Sequence, residues 1–248
     1  MMVLVKLVML AFVITQIQRK KILERKLMIK VYDNLLPEHF ADSIEQLHTS
    51  PRINWYLHQS TVDKEYHDDK RVVFTTDNVV NSPQFVHVFY SSQSGHSQLI
   101  PEVESVMKHL DVNFNELNIR RIKSNLTTYQ KGYKENNTQP PHVDSIYETD
   151  SSLIYYVNDS DGDTLFYDDD MNIIKRVSPK KNRAVLFPST MVHAGCNPIK
   201  NDIRLVINYI FNTEKIIDSA DFYKLGDADK AIFEQMDKML KLQIGELA

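Results

Sequence analysis

Between residues 121 and 211 the chain is built of short runs of β-branched and aromatic residues, each closed by a cluster of turn formers, and this rhythm constrains the fold more than any other feature. Residues 122–130 alternate in polarity, and 152–157, 164–167, 172–177, 184–187 and 203–211 continue the series, with turns such as 158–162 between them. Many short strands so spaced predict a sandwich or barrel, a mainly β core with flanking helices. Upstream, residues 27–33 read as a strand and 36–47 as a helix with Pro37 near its first turn. A second amphipathic helix runs from Pro101 through Val103 and Val106 to Leu110, and strands are expected at 71–75 and 85–90. Residues 227–247 have the pattern of a helix packed on the outside.

The organisation expected from these patterns has three parts: an apolar and basic extension over residues 1–26, a main domain over 27–215 with its core at about 121–211, and a helical segment over 216–248. Residues 1–17 are mostly apolar and are followed by basic residues from Arg19 to Lys26. A spanning helix needs roughly 20 apolar residues, so this stretch reads as a peripheral helix, and membrane contact is expected only through residues 1–17 as an anchor. It lacks the leading charge and the small-residue cleavage site of a signal peptide.

With 248 residues, 42% of them hydrophobic, the chain can bury a sizeable core. Its net charge of -4 and dispersed Lys and Arg argue against general nucleic-acid affinity. Its one cysteine, Cys196, excludes an internal disulfide and a Cys-based zinc site, and points to a reducing, cytoplasmic setting.

The chemistry concentrates in Pro140-Pro141-His142-Val143-Asp144. His142 and Asp144 point the same way if the backbone between them is extended, which makes them a pair of potential metal ligands. Two further His-x-Asp triplets, His67/Asp69 and His109/Asp111, compete with this one. The first lies in a wholly polar stretch and the second closes an amphipathic helix, so only His142/Asp144 leads into the β-rich block. A third ligand must come from elsewhere, and His193 is the candidate. Arg204 stands in the apolar run Ile203-Arg204-Leu205-Val206-Ile207, where an unpaired charge is expensive. Taken singly, His193 also fits a satisfied core histidine, and Arg204 an edge residue with its head in water.

The ordered series formed by His142-Val143-Asp144, Tyr155 to Asn158, Asp161 to Phe166, Pro179 to Pro188, His193-Ala194-Gly195 and Arg204 resembles the catalytic core of the iron(II)- and 2-oxoglutarate-dependent dioxygenases. The prolyl 4-hydroxylase-like subgroup is the nearest in pattern. The resemblance implies a double-stranded β-helix, a jelly-roll or cupin-like barrel buttressed by helices. It also implies iron(II) held by His142, Asp144 and His193, with 2-oxoglutarate anchored by Arg204 and contacted by Tyr129 or Tyr156. The two tyrosines fit equally well as strand aromatics filling a barrel. The implied reaction consumes O2, with ascorbate as an auxiliary reductant, and hydroxylates an unactivated C–H bond while 2-oxoglutarate becomes succinate and CO2. The implied substrate is a peptide, a protein or an amino acid or other small molecule, selected by the loops at 50–70 and 131–141; the acidic patch Asp168-Asp169-Asp170 reads as a hairpin turn exposed to water ahead of a contact for a basic peptide. A metal-binding jelly roll without oxygenase activity and a β-sandwich interaction protein are the rival readings.

The sequence departs from the family pattern in informative places. Asp161 and Asn182 stand where glycine is common, and both residue types tolerate a positive φ. The subgroup often uses Lys where Arg204 stands, and Ile210 occupies the position of a second Arg in the alkylation-repair relatives, which disfavours a nucleic-acid demethylase. Asp144 retains the acidic ligand that halogenating relatives lack, which points to hydroxylation.

Overall fold

The computed structural model describes residues 28–61, 79–92, 95–110, 118–135 and 137–212. The expectations for 1–26, the triplet His67/Asp69, the strand at 71–75, Asp111 and the helix at 227–247 fall outside these residues. The described chain runs β1 (Lys30–Tyr32), α1 (Glu38–Thr49), β2 (Tyr56–His58), β3 (Gln84–Ser91), β4 (Gly95–His96), α2 (Ile100–Lys108), β5 (Asn118–Thr128), β6 (Asp150–Tyr156), β7 (Thr164–Tyr167), β8 (Ile173–Val177), β9 (Arg183–Pro188), β10 (His193–Gly195) and β11 (Ile203–Asn212).

The strands form two antiparallel sheets. The larger has the order β1-β9-β6-β11-β5-β3-β2, with β4 on β3, and the smaller is β10-β7-β8. An antiparallel bridge between His142 and His193 extends the small sheet by the segment that carries the His-x-Asp triplet. This is the expected jelly roll, and the period of two along each strand explains why it holds together. On β6 and β11, Leu153, Tyr155, Leu205, Ile207, Tyr209 and Phe211 face a core shared with Ile44 and Leu47 of α1 and with Val103, Val106 and Met107 of α2. The alternate residues Ile154, Tyr156 and Val206 face inward, onto Phe166, Val185 and Phe187. Each such side chain contributes roughly 1.5–3 kcal/mol of apolar burial. Covering both faces of β6 and β11 explains why their sequences are near-continuous apolar runs rather than alternating ones.

Polar cross-links pin the helices to the sheet. The Tyr209 hydroxyl donates to the Val103 carbonyl at 2.8 Å. His48 bonds the Ile44 carbonyl through Nδ1 and the Ser124 hydroxyl through Nε2, both at 2.7 Å. Burial drives the His48 pKa down to about 4, with the Ile44 carbonyl opposing. The folded protein therefore binds fewer protons here than the unfolded chain between pH 6.5 and about 4. The stability linked to His48 is fully present above pH 6.5 and is lost on acidification, by on the order of 3 kcal/mol. Thermal melts from pH 7 to 4 are expected to show the midpoint falling, and His48→Gln is expected to flatten that part of the curve; an unchanged slope in the variant would remove His48 from the account.

The two non-glycine departures from the family turn pattern resolve differently. Asn182 has φ 64°, as expected, and its side-chain amide holds the Leu36 backbone, accepting from the N–H at 2.9 Å and donating to the carbonyl at 2.8 Å. Asp161 is not among the positive-φ residues. Its carboxylate instead accepts backbone N–H groups from Ile199, Lys200 and Asn201, so its chemistry, not its backbone tolerance, suits the site. Strands β2 and β4 were not anticipated, because two or three residues are too few to display a period. Among the described residues no helix is long and apolar enough to cross a membrane.

Candidate metal centre

Two local devices shape the His-x-Asp segment. Pro140 and Pro141 cannot donate and favour extended backbone, so the chain approaches β10 with the N–H of Gln139 donating to Gly195 at 2.8 Å. His142 and His193 then exchange both backbone hydrogen bonds at 2.9 Å, which places their rings side by side with centroids 4.7 Å apart. Asp144 follows on the same side, its N–H donating to the Ser189 carbonyl at 3.0 Å.

The ring orientations are set by backbone. Nδ1 of His142 faces the Pro140 carbonyl at 2.9 Å, and Nδ1 of His193 faces the Met191 carbonyl at 3.1 Å. A carbonyl only accepts, so each Nδ1 carries the proton and each Nε2 keeps its lone pair. One ring nitrogen of each histidine and an Asp144 oxygen all lie within 4.8 Å of one another, and Nε2 of His193 is 3.6 Å from the Asp144 carboxylate. Asp144 receives hydrogen bonds from the Ser152 hydroxyl at 2.7 Å and from the Asn208 amide at 3.1 Å, and Arg121 approaches it at 3.5 Å.

Protonation favours the same use. Burial, reinforced by the neighbouring His193 charge, pushes the His142 pKa down to about 4, so its ring is neutral near pH 7. Burial alone would raise Asp144, but His193, Arg121 and His142 beside it hold the carboxyl well below the usual range. Two neutral imidazoles and a carboxylate on one side of a space are the donor set that non-haem iron(II) oxygenases use.

The three ligand candidates line a cavity of about 80 Å³ between the sheets. At its far end lies Arg204, 6% exposed, with Nε donating to the Gly162 carbonyl at 2.7 Å and a terminal nitrogen to the Thr164 hydroxyl at 2.8 Å. Among the described residues no carboxylate pairs with it. Two of the chain's six glycines make room for it: a Cβ on Gly162 would come within 2.9 Å of the Arg204 Cδ, and Gly195 lies against the guanidinium. Burial lowers the pKa of Arg204, yet a guanidinium stays charged.

Iron and 2-oxoglutarate fit these residues. Among the described residues five buried side-chain polar atoms lack a hydrogen-bond partner, and four of them, on Arg121, Asn125, Thr127 and Asn208, belong to residues lining this cavity. Unpartnered buried groups are costly, and a polar ligand at this place relieves the cost. Thr127 stands opposite Arg204 in the β5–β11 register, so its hydroxyl and the guanidinium converge on one carboxylate-sized end of the cavity.

The structure brings His142, Asp144, His193 and Arg204 to this one cavity. It does not bring the two tyrosines there. Tyr129 is 48% exposed and lies outside the lining, while Tyr156 is fully buried behind Thr164, its hydroxyl donating to the Thr164 oxygen at 2.7 Å. Sequence reasoning missed Arg121, Lys123, Asn125 and Thr127, which all line the cavity from β5. Their signal was a polar residue at every second position of a strand whose alternate face carries Ile122 and Leu126.

Comparison with known proteins agrees with this architecture. Residues 125–212 match the model of the 2OG-Fe(II) oxygenase superfamily. Among solved structures, a 2OG-Fe(II) oxygenase family oxidoreductase from Burkholderia pseudomallei is similar with a TM-score of 0.54 at 12% identity, over 76% of this chain and 86% of that one. A Trichoplax adhaerens prolyl hydroxylase, in complex with a hypoxia inducible factor oxygen degradation domain peptide fragment, is similar with a TM-score of 0.48 at 14% identity, over 82% and 96% of the two chains. A Pseudomonas putida prolyl-4-hydroxylase gives 0.43 at 13% identity, over 75% and 92%. No curated protein matches the sequence.

Proposed function

We propose that this chain is a 2OG-Fe(II) oxygenase that uses His142, Asp144 and His193 to hold iron(II) and Arg204 to hold 2-oxoglutarate, and hydroxylates a C–H bond of a peptide, protein or amino-acid substrate. The observation that carries this reading is the convergence of the three ligand atoms on a cavity whose other end holds a buried arginine that no carboxylate among the described residues pairs with. The metal with its cosubstrate would supply oxygen activation, with one atom of O2 taken up as 2-oxoglutarate is converted to succinate and CO2 and the other inserted into the substrate C–H bond.

The protein's part follows from the residues. His142 and His193 turn Nε2 toward the cavity, because the Pro140 and Met191 carbonyls claim the Nδ1 protons. Asp144 is kept ionised by His193, Arg121 and His142 and is oriented by Ser152 and Asn208, so no proton has to leave when a cation arrives. Arg204 offers a fixed fork to the far carboxylate of the cosubstrate, with the hydroxyls of Thr127 and Thr164 beside it. Ile154 and Val206 line the same cavity with apolar surface and exclude water from the reacting centre. A prolyl hydroxylase-like reaction, with O2 as oxidant and ascorbate restoring iron oxidised in unproductive cycles, is the form this reading takes.

Anaerobic titration with iron(II) and 2-oxoglutarate tests it. The wild-type protein is expected to develop a weak visible metal-to-ligand absorption, and to form succinate once air is admitted. Neither absorption nor succinate under those conditions would sink the reading.

A further inference from the structure

We infer that Arg121 is the docking group for a carboxylate on the primary substrate, so that this enzyme acts on a small molecule or chain end bearing a free carboxylate. The inference rests on the oxygenase reading of the cavity and adds to it a substrate class.

Arg121 and Arg204 lie toward opposite ends of the same lining. In the β5–β11 register Arg204 stands opposite Thr127, Val206 opposite Asn125, Asn208 opposite Lys123 and Ile210 opposite Arg121. Six residues at about 3.3 Å each separate the two backbone positions, roughly 20 Å along the strand. Asp144 contacts Asn208 and Arg121, so the ligand triad lies toward the Arg121 end. A cosubstrate that reaches from the triad toward Arg204 leaves the Arg121 side to the other reactant.

Charge accounting assigns Arg121 the same task. A divalent ion, the Asp144 carboxylate, a dianionic cosubstrate and Arg204 together cancel. Once Asp144 is committed to a cation, the contact at 3.5 Å no longer neutralises Arg121, and among the described residues no other acid lines the cavity. The cavity's third cation, Lys123, stands between Arg121 and Asn125 on the same strand. The guanidinium is half-prepared for a partner: its Nε is buried with no hydrogen bond, while the side chain as a whole keeps 34% of its surface exposed. Its neighbour Arg120 differs in this respect, being paired with the buried Asp150 at 2.8 Å. A planar fork with unused donors beside the reacting centre suits a carboxylate, which it can bind through two parallel hydrogen bonds.

Calorimetric binding to the protein loaded anaerobically with iron(II) and 2-oxoglutarate tests the inference. The probes are the common free L-amino acids, the same compounds as carboxamides, and acetylated dipeptides with a free C-terminus. At least one acid is expected to bind about 10- to 100-fold more tightly than its amide, the difference a charge-assisted hydrogen bond makes. A hit among the amino acids assigns a free α-carboxylate, and a hit only among the dipeptides assigns a chain terminus. Arg121→Gln is expected to erase the preference for the acid, and Arg121→Lys to keep part of it, with the visible absorption showing that both variants still load. Amides binding as well as acids, a preference that survives Arg121→Gln, or a loaded protein that binds no carboxylate probe each overturn the inference alone. Failure of the wild type to give the visible absorption overturns the oxygenase reading, and this inference with it.

Discussion

Replacing His193 by Ala is expected to erase the visible absorption expected of the wild-type protein with iron(II) and 2-oxoglutarate, and to lower succinate formation by about a hundredfold or more. Changes to the outer partners of metal-binding residues already cost 10- to 100-fold, so removing a ligand itself costs at least as much. The geometry explains why nothing substitutes for it. His193 is 3% exposed, its Nε2 lies 3.6 Å from Asp144, and no other histidine, cysteine or acid among the described residues joins the cluster. The ring is also packed against Phe187, with centroids 4.8 Å apart, so its loss removes core contacts as well. Circular dichroism of the variant separates unfolding from loss of metal. A folded His193→Ala protein that keeps the absorption would show that His193 is a core histidine and that the third ligand lies elsewhere.

Replacing Arg204 by Ala is expected to weaken 2-oxoglutarate binding by roughly 30- to 1,000-fold, or about 2–4 kcal/mol, while iron binding persists. The guanidinium is buried and two of its nitrogens are engaged by Gly162 and Thr164, so its remaining donors are held in one orientation. Such preorganisation is what a small carboxylate gains from and what a lysine cannot reproduce, so Arg204→Lys is expected to fall between wild type and Arg204→Ala. Titration of each iron-loaded variant with 2-oxoglutarate, followed at the visible absorption, gives the affinities. Loss of iron with unchanged cosubstrate affinity would identify Arg204 as a structural cross-link between β11 and β7.

Much of the β architecture was legible because its signal is local. Residues 153–157, and 203–211 apart from Arg204 and Asn208, are apolar since α1 and α2 cover one face and the small sheet covers the other. His142, Asp144, His193 and Arg204 were singled out by residue type and order, and the fold gathers them at one cavity. Tyr129 and Tyr156 show the limit of that method. Both are strand-associated aromatics with a hydroxyl, yet one is exposed beyond the end of β5 and the other is turned onto Thr164. Nothing within a few residues of either distinguishes them, because their direction depends on which strand lies alongside. Thr127, the hydroxyl that does face Arg204, was passed over because a threonine in a strand is ordinary.

Local pattern sufficed for the longer strands and for the helices at 38–49 and 100–108, because alternation and turn formers report on the nearest neighbours of each residue. The type of chemistry came instead from the resemblance carried by the ordered series from His142 to Arg204. The meeting of His142 with His193 depends on a three-residue strand and a single bridge, too short to leave a pattern. The polar stripe of β5 becomes a cavity wall only because β11 pairs with that strand in a particular register, setting Thr127 opposite Arg204 and Arg121 toward the other end. Register is a property of paired strands, and buried charge is a property of everything packed around it. Those two quantities, which place a cation at each end of the site, came into being only when the sheets closed on each other.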